Sequence, residues 1–263
     1  MGIKCISQGY IRYVFLAFIL GILISFGHVV NSYYKTINDF VEIIDMRNEN
    51  ITYGFLYDLI MINIPYIVFH IFFGTYIYRR FCSASIYFFV RNVNRVKWFL
   101  SEIFKLYIYA VMYCLFYVMG NCFLSVFSFR YGVRSGLLFE VIMYVVITSL
   151  YLLVTALAIN VLAVLFDSNL AFVICQFVYC FFLTFYLWPG TYHYDNELEA
   201  IDPDYMWMIK CNPFSYIVFY YRKTMMDYVT SIMLYVCMLF IIILAGMYIV
   251  KRHNFIVSNQ EYE

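Results

Sequence analysis

Charge is what this chain has least of: 13% of its 263 residues are Asp, Glu, Lys or Arg, where a water-soluble domain of this length carries about a quarter. With 65% hydrophobic residues and a mean hydropathy of +0.80, the composition excludes an ordinary soluble fold and indicates an all-α polytopic membrane protein. The few cations leave no basic face clear of the membrane, so nucleic acid is excluded as a partner. No CxxC pair occurs; the eight cysteines lie mostly within apolar runs and read as small buried hydrophobes, without a disulfide framework. There is no GxxxxGKS/T phosphate loop, so the chain carries no nucleotide-driven motor of that kind. The lack of a GxSG, HExxH or paired-glutamate motif speaks against intramembrane hydrolysis. The small-x-small pattern of a cleavage site is missing after the first apolar run, which is a full span long behind Lys4 and Arg12, so an uncleaved first helix is expected. Without a repeat, a low-complexity tract or a linker, residues 1–263 read as one transmembrane domain.

Six apolar stretches remain, at about 11–30, 58–78, 99–126, 137–164, 170–188 and 229–250. Each can cross a hydrocarbon core of about 30 Å. Lipid cannot hydrogen-bond a backbone, so helices are expected for all six. An even number of spans puts both termini on one side. The segments on that side hold ten Lys and Arg against four acids (Glu102, Asp167, Glu261, Glu263), and the opposite segments hold seven cations against ten acids. Cations are retained inside, so both termini are expected in the cytoplasm. The turn at 166–169 is short enough to make the fourth and fifth spans an antiparallel hairpin, and Pro189-Gly190 is expected to stop the fifth helix.

The longest basic interruption is RRFCSASIYFFVRNVNRVKWFLSEIFK, from Arg79 to Lys105. Arg79, Arg80, Arg91, Arg95, Lys97 and Lys105 stand there against Glu102 alone. Ile86, Tyr87, Phe88, Phe89 and Val90 are too apolar to hang in water, so this stretch is expected to lie along the inner leaflet or a partner as a docking helix. Glu102 and Lys105, three residues apart on a helix, can pair.

Polar groups within or near the spans are His28, Asp58, Asn63, His70, Asn121, Glu140, Asn160 and Gln176. Each is costly in hydrocarbon and should face protein, a cavity or the interface. His70, Asn160 and Gln176 lie deepest and are candidates for lining a substrate path, although helix-to-helix hydrogen bonding is the commoner role of Asn and Gln. Tyr109, Tyr113 and Tyr117 recur every four residues and line one face, either as packing or as a surface for an amphiphilic substrate. His193, Asp195 and Glu197 share an acidic segment, in which a solvated loop outweighs a metal site. No metal is expected.

The pattern of six spans with cytoplasmic ends, a basic segment between the second and third, and an apolar piece that re-enters or lies on the outer face before the sixth resembles the permease subunit of ABC-2 type ABC transporters. The likeness covers the whole chain through loose motifs. In VNRVKWFLSEIFKLYIYA, Arg95 stands for the family's arginine, while Glu102 occupies the usual lysine position, with Lys105 one turn on. In CNPFSYIVFYYRKTM, Asn212, Pro213, Phe214 and Arg222 stand in corresponding places. The resemblance implies export of a hydrophobic or amphiphilic substrate, such as a peptide antibiotic, drug or lipid, across the plasma membrane, here a bacterial cytoplasmic membrane. It implies a non-enzymatic subunit that binds no cofactor itself, with ATP and Mg on separate ABC ATPase subunits. These would dock on a coupling helix at about Arg80–Asn92, and a second permease copy or a sister permease would complete the dimer in the lipid bilayer. An ATP-independent channel or carrier, or an intramembrane enzyme, is the alternative.

Overall fold

A computed structural model of the chain describes residues 2–30, 53–87, 94–127, 137–192, 211–217 and 225–252, with side chains in 12–26, 63–82, 94–123, 138–185, 211–217 and 225–252. Every regular element among the described residues is helical: α1 (Gly2–Val30), α2 (Tyr53–Phe73), α3 (Tyr76–Tyr87), α4 (Arg95–Phe127), α5 (Leu137–Leu165), α6 (Ser168–Tyr192), a 3₁₀ turn at Pro213–Tyr216, and α7 (Met225–Arg252). Among the described residues, four helical segments are long and apolar enough to cross a membrane: Arg95–Phe123, Leu138–Leu165, Ser168–Phe185 and Met225–Arg252; Arg12–Phe26 is the apolar part of α1 among them. The chain is a helical membrane protein.

The helix ends follow local chemistry. Asn94 caps α4, its Oδ1 accepting the N–H groups of Val96 at 3.1 Å and Lys97 at 3.2 Å, so the helix begins at Arg95, ahead of the span expected from residue 99. Asp167 caps α6 by accepting the N–H of Leu170, and the turn between α5 and α6 is confined to Phe166 and Asp167. Two expectations need correction. Pro189-Gly190 does not stop α6, which continues to Tyr192; the proline forfeits one i to i−4 bond, and the helix ends three residues later. The stretch 58–78 is not one helix, because it breaks at Gly74-Thr75 and restarts as α3. A Cβ on Gly74 would collide with the His70 carbonyl one turn back and touch Ile159 Cδ1 of α5 at 3.2 Å, so glycine lets the chain turn at this joint without a clash against its own preceding turn.

Helix α5 is the centre of the bundle and touches α2, α3, α4, α6 and α7. Its most apolar stretch is 72% buried, against 11% for the corresponding stretches of α6 and α7; α5 is surrounded by protein, while α6 and α7 present most of their surface outward. Small residues make this possible, since Ser149, Ala156 and Ala163 let neighbouring backbones approach. Phe177 on α6 and Ile241 on α7 belong to the outward apolar faces.

The most extensive helix pair is α1 with α4. They cross at glycine on both sides: a Cβ on Gly21 would lie 2.3 Å from the Tyr117 carbonyl oxygen, and one on Gly120 2.2 Å from that of Phe18. In lipid there is no hydrophobic drive between helices, so contact at this range supplies the association through packing. Below the crossing, Tyr13 of α1 packs on Phe72 and Phe73 of α2, with ring centroids 4.6 and 5.3 Å apart. At the same end of α4, Gly246 of α7 fits against the ring of Phe99.

Candidate functional site

Helix α3 is held by α4 and α5 through its first two turns. The first N–H groups of any helix lack an intrahelical acceptor; here the N–H of Tyr78 donates to Oδ1 of Asn160 on α5 at 2.9 Å. The Asn160 amide donates in turn to the carbonyl of Ala156 at 2.7 Å, which sets the side chain across the gap as a cap supplied by another helix. On the α4 side, Phe81 stacks on Trp98 with ring centroids 5.6 Å apart. Arg80 and Tyr76 reach Glu102.

Glu102 is the hub of this end. Its carboxylate side chain is 3% exposed, which for an anion requires compensation. Arg80 Nη1 donates to Oε2 at 3.1 Å and Oε1 at 3.3 Å, Lys105 Nζ to Oε1 at 2.6 Å, and the Tyr76 hydroxyl to Oε2 at 3.1 Å. Arg80 also lies over the Tyr76 ring, 4.9 Å from its centroid. Lys105 is the i, i+3 partner anticipated from spacing; Arg80 and Tyr76 arrive from another helix. The buried acid thus ties α3 to α4 by charge. Arg95 is half-buried in the first turn of α4. The side chains of Ile86 and Tyr87, and residues Phe88, Phe89, Arg91 and Asn92, lie outside the described residues.

The deep polar residues fall into separate groups. His70 on α2 is brought to Thr155 on α5 and Gln176 on α6, with His70 Nε2 2.6 Å from Thr155 Oγ1 and Gln176 Nε2 3.2 Å from His70 Nδ1. Thr155 spends its one proton on the carbonyl of Tyr151, at 2.9 Å. Its oxygen is then free to accept from Nε2–H, and the glutamine amide lies at Nδ1, so both ring nitrogens of His70 have partners. Asn160 is not in this group, since it serves α3. Thr155 was not among the sequence candidates, and its spacing within α5 carries no signal for the role.

The tyrosine stripe of α4 faces protein. Tyr113 is 2% exposed and donates its hydroxyl to the carbonyl of Pro65 on α2 at 2.9 Å. Tyr109 packs against Phe73 and Tyr76. Tyr117 is buried, and its carbonyl accepts from Asn121 Nδ2 at 2.9 Å. Asn63 is buried, and Glu140 is half-buried in the first turn of α5. The side chains of His28 and Asp58, and residues His193, Asp195 and Glu197, lie outside the described residues.

At the far end, Asn212 joins the 3₁₀ turn to the bundle. Its Nδ2 donates to the Phe182 carbonyl of α6 at 2.7 Å, and its Oδ1 accepts the Phe214 N–H at 2.9 Å. The Tyr235 hydroxyl of α7 donates to the Pro213 carbonyl at 2.7 Å. Phe214 is buried with its ring edge on Tyr179, 5.6 Å between centroids. Arg222 lies outside the described residues. Among the described residues no group of three or more His, Cys, Asp or Glu is placed to hold a metal ion.

Comparison with protein-family models, with curated proteins and with solved structures finds no match.

Proposed function

We propose that this chain is the membrane-spanning subunit of an ATP-driven exporter of the ABC-2 permease kind, with six spans and both termini in the cytoplasm. A hydrophobic or amphiphilic substrate would leave across the plasma membrane. Separate ATPase subunits would hold ATP and Mg, and a second permease chain would complete the transmembrane unit.

The observation that carries this reading is the clamping of α3. A short helix bearing Arg79 and Arg80 follows a glycine joint and is tied to two membrane helices by a backbone cap, an aromatic stack and a buried charge hub. Such a helix can pass a push from a soluble motor into α4 and α5 as a rigid displacement, because none of its three ties stretches easily. The contacts of Tyr13 with Phe72 and Phe73, and of Gly246 with Phe99, support the topology, since they bring the first and last helices to the α3 end. An even number of crossings requires this.

The test is purification from native membranes. The expected result is a complex with an ABC ATPase and ATP-dependent export after reconstitution. Nucleotide-independent flux from this chain alone in liposomes would replace the reading with a channel or carrier. Arg80→Met tests the link itself. It removes one of two cations from a buried carboxylate, and partial exposure of Arg80 at 26% reduces the usual cost of breaking a buried pair to about 1–3 kcal/mol. The ATPase should stay bound while export per ATP falls about tenfold; export and coupling equal to the unsubstituted chain would remove α3 from the mechanism. Labelling of a cysteine placed at the exposed Arg79 by an impermeant reagent outside intact cells would overturn the topology.

A further inference from the structure

Three helices turn polar faces toward one line inside the bundle. On α2, Tyr66 and His70 are four residues apart; on α5, Tyr151 and Thr155 are four apart, with Thr148 one turn before them; on α6, Gln176 and Tyr179 are three apart. At a rise of about 1.5 Å per residue, these spacings make two layers about 5–6 Å apart. The layer nearer the α3 end is His70, Thr155 and Gln176, joined by the hydrogen bonds described above. The next is Tyr66, Tyr151 and Tyr179. The Tyr66 and Tyr151 rings meet at 5.9 Å and those of Tyr151 and Tyr179 at 6.4 Å.

Packing alone does not account for the contents of this seam. His70, Thr148, Tyr66, Tyr151 and Tyr179 are all at least nine-tenths buried. The Tyr179 hydroxyl and Thr148 Oγ1 are buried without a hydrogen-bond partner among the described residues. A polar group left unpaired in an apolar interior costs about 1–3 kcal/mol, and phenylalanine and valine would fill the same space at no such cost. Water is the smallest molecule that satisfies two such groups. Gln176 is only half-buried, so the inner layer reaches the edge of the bundle beside α6.

We infer that the α2–α5–α6 seam admits water and forms the polar side of the substrate path within a single chain, in a closed state here, with the tyrosine layer as its constriction. The water part stands alone; the path part rests on the transport reading above. The seam suits a substrate carrying hydroxyl or amine groups beside an apolar body, because phenols, an imidazole and an amide offer hydrogen bonds while α6 offers an apolar outer face. Tyr109, Tyr113 and Asn160 are left out of this path, since their faces are committed to α2 and α3.

The experiment uses the full chain in cell membranes, with its eight cysteines replaced and single cysteines introduced at Thr155, Gln176 and Tyr179. Controls are Ala156, which is fully buried in packing, and Phe177, which faces outward. A charged, impermeant methanethiosulfonate reports water at the thiol, with and without ATP. Apolar burial raises a thiol pKa, and each unit removes nine-tenths of the thiolate. Seam cysteines should therefore react about ten times faster than both controls in at least one condition. Equal rates in both conditions overturn the inference. In the reconstituted complex, Thr155→Val should lower export about tenfold, the equivalent of one lost hydrogen bond of about 1.4 kcal/mol, while Thr155→Ser restores it. Labelled cysteines with unchanged export in Thr155→Val would leave a wet seam that is not the path, and overturn that part. Absence of ATP-dependent export from every preparation would remove the transport reading, with the labelling result deciding the hydrated seam by itself.

Discussion

Replacing Gly120 by alanine adds one methyl group at the closest approach of two helices. The new Cβ would sit 2.2 Å from the Phe18 carbonyl oxygen and 3.2 Å from the Gly21 Cα, whereas ordinary contact begins near 3.4 Å. Both obstacles are backbone, so no side chain can swing away and the axes must part by about 1 Å. A gap of that size forfeits about a quarter to a half of each contact's attraction, at about 0.1–0.2 kcal/mol for each atom pair. Over some tens of contacts the loss is about 2–3 kcal/mol, and the better helix propensity of alanine returns about 1 kcal/mol. A net destabilisation of about 1–2 kcal/mol follows, or about 5- to 30-fold in the unfolding equilibrium. Equilibrium unfolding in mixed micelles, followed by circular dichroism, measures it. The control is Met119→Ala, one residue away on an outward face at 55% exposure, for which a change within about 0.5 kcal/mol is expected. If Gly120→Ala behaves like Met119→Ala, the two backbones do not meet at this distance.

Two further outcomes test the ties at either end of the bundle. Asn160→Leu removes the acceptor of the Tyr78 N–H, a buried donor worth about 1–3 kcal/mol when orphaned; amide exchange across 76–82 should accelerate about tenfold or more while the core of α5 stays protected, and unchanged exchange would show that α3 does not depend on this cap. Tyr235→Phe removes the hydroxyl's bond to Pro213 and should cost about 1 kcal/mol, whereas Asn212→Ala removes two bonds, to the Phe182 carbonyl and from the Phe214 N–H, and should cost about 2–3 kcal/mol; equal losses in the same unfolding assay would mean that Asn212 does not bridge the helices.

Much of the helical frame is readable along the chain. An apolar run of about twenty residues has no alternative to a helix in lipid, and a side-chain acceptor at Asn94 or Asp167 marks where a helix begins. Lys105 beside Glu102 is a neighbour relation on one helix, so residue spacing suffices to find it. The break at Gly74 and the continuation of α6 through Pro189 escape such reading because they depend on the backbone path the helix takes. Gly74 is required by the carbonyl of His70 one turn back, and α6 runs three residues past Pro189.

Charge and hydropathy by themselves thus determine that this protein lives in a membrane as a set of helices, since composition decides whether a chain can bury itself in water. They also single out His70, Asn160 and Gln176 as polar groups that must find company. Only the tertiary structure decides which company. It sends Asn160 to the backbone of α3, joins His70 directly to Gln176 across 106 positions and to Thr155 on its other ring nitrogen, and turns the tyrosines of α4 inward. The physical reason is that a polar group in an apolar bundle is compelled to pair but indifferent to sequence distance, so the choice of partner belongs to helix packing, which small residues such as Gly21, Gly120 and Ala156 control by letting particular backbones come close.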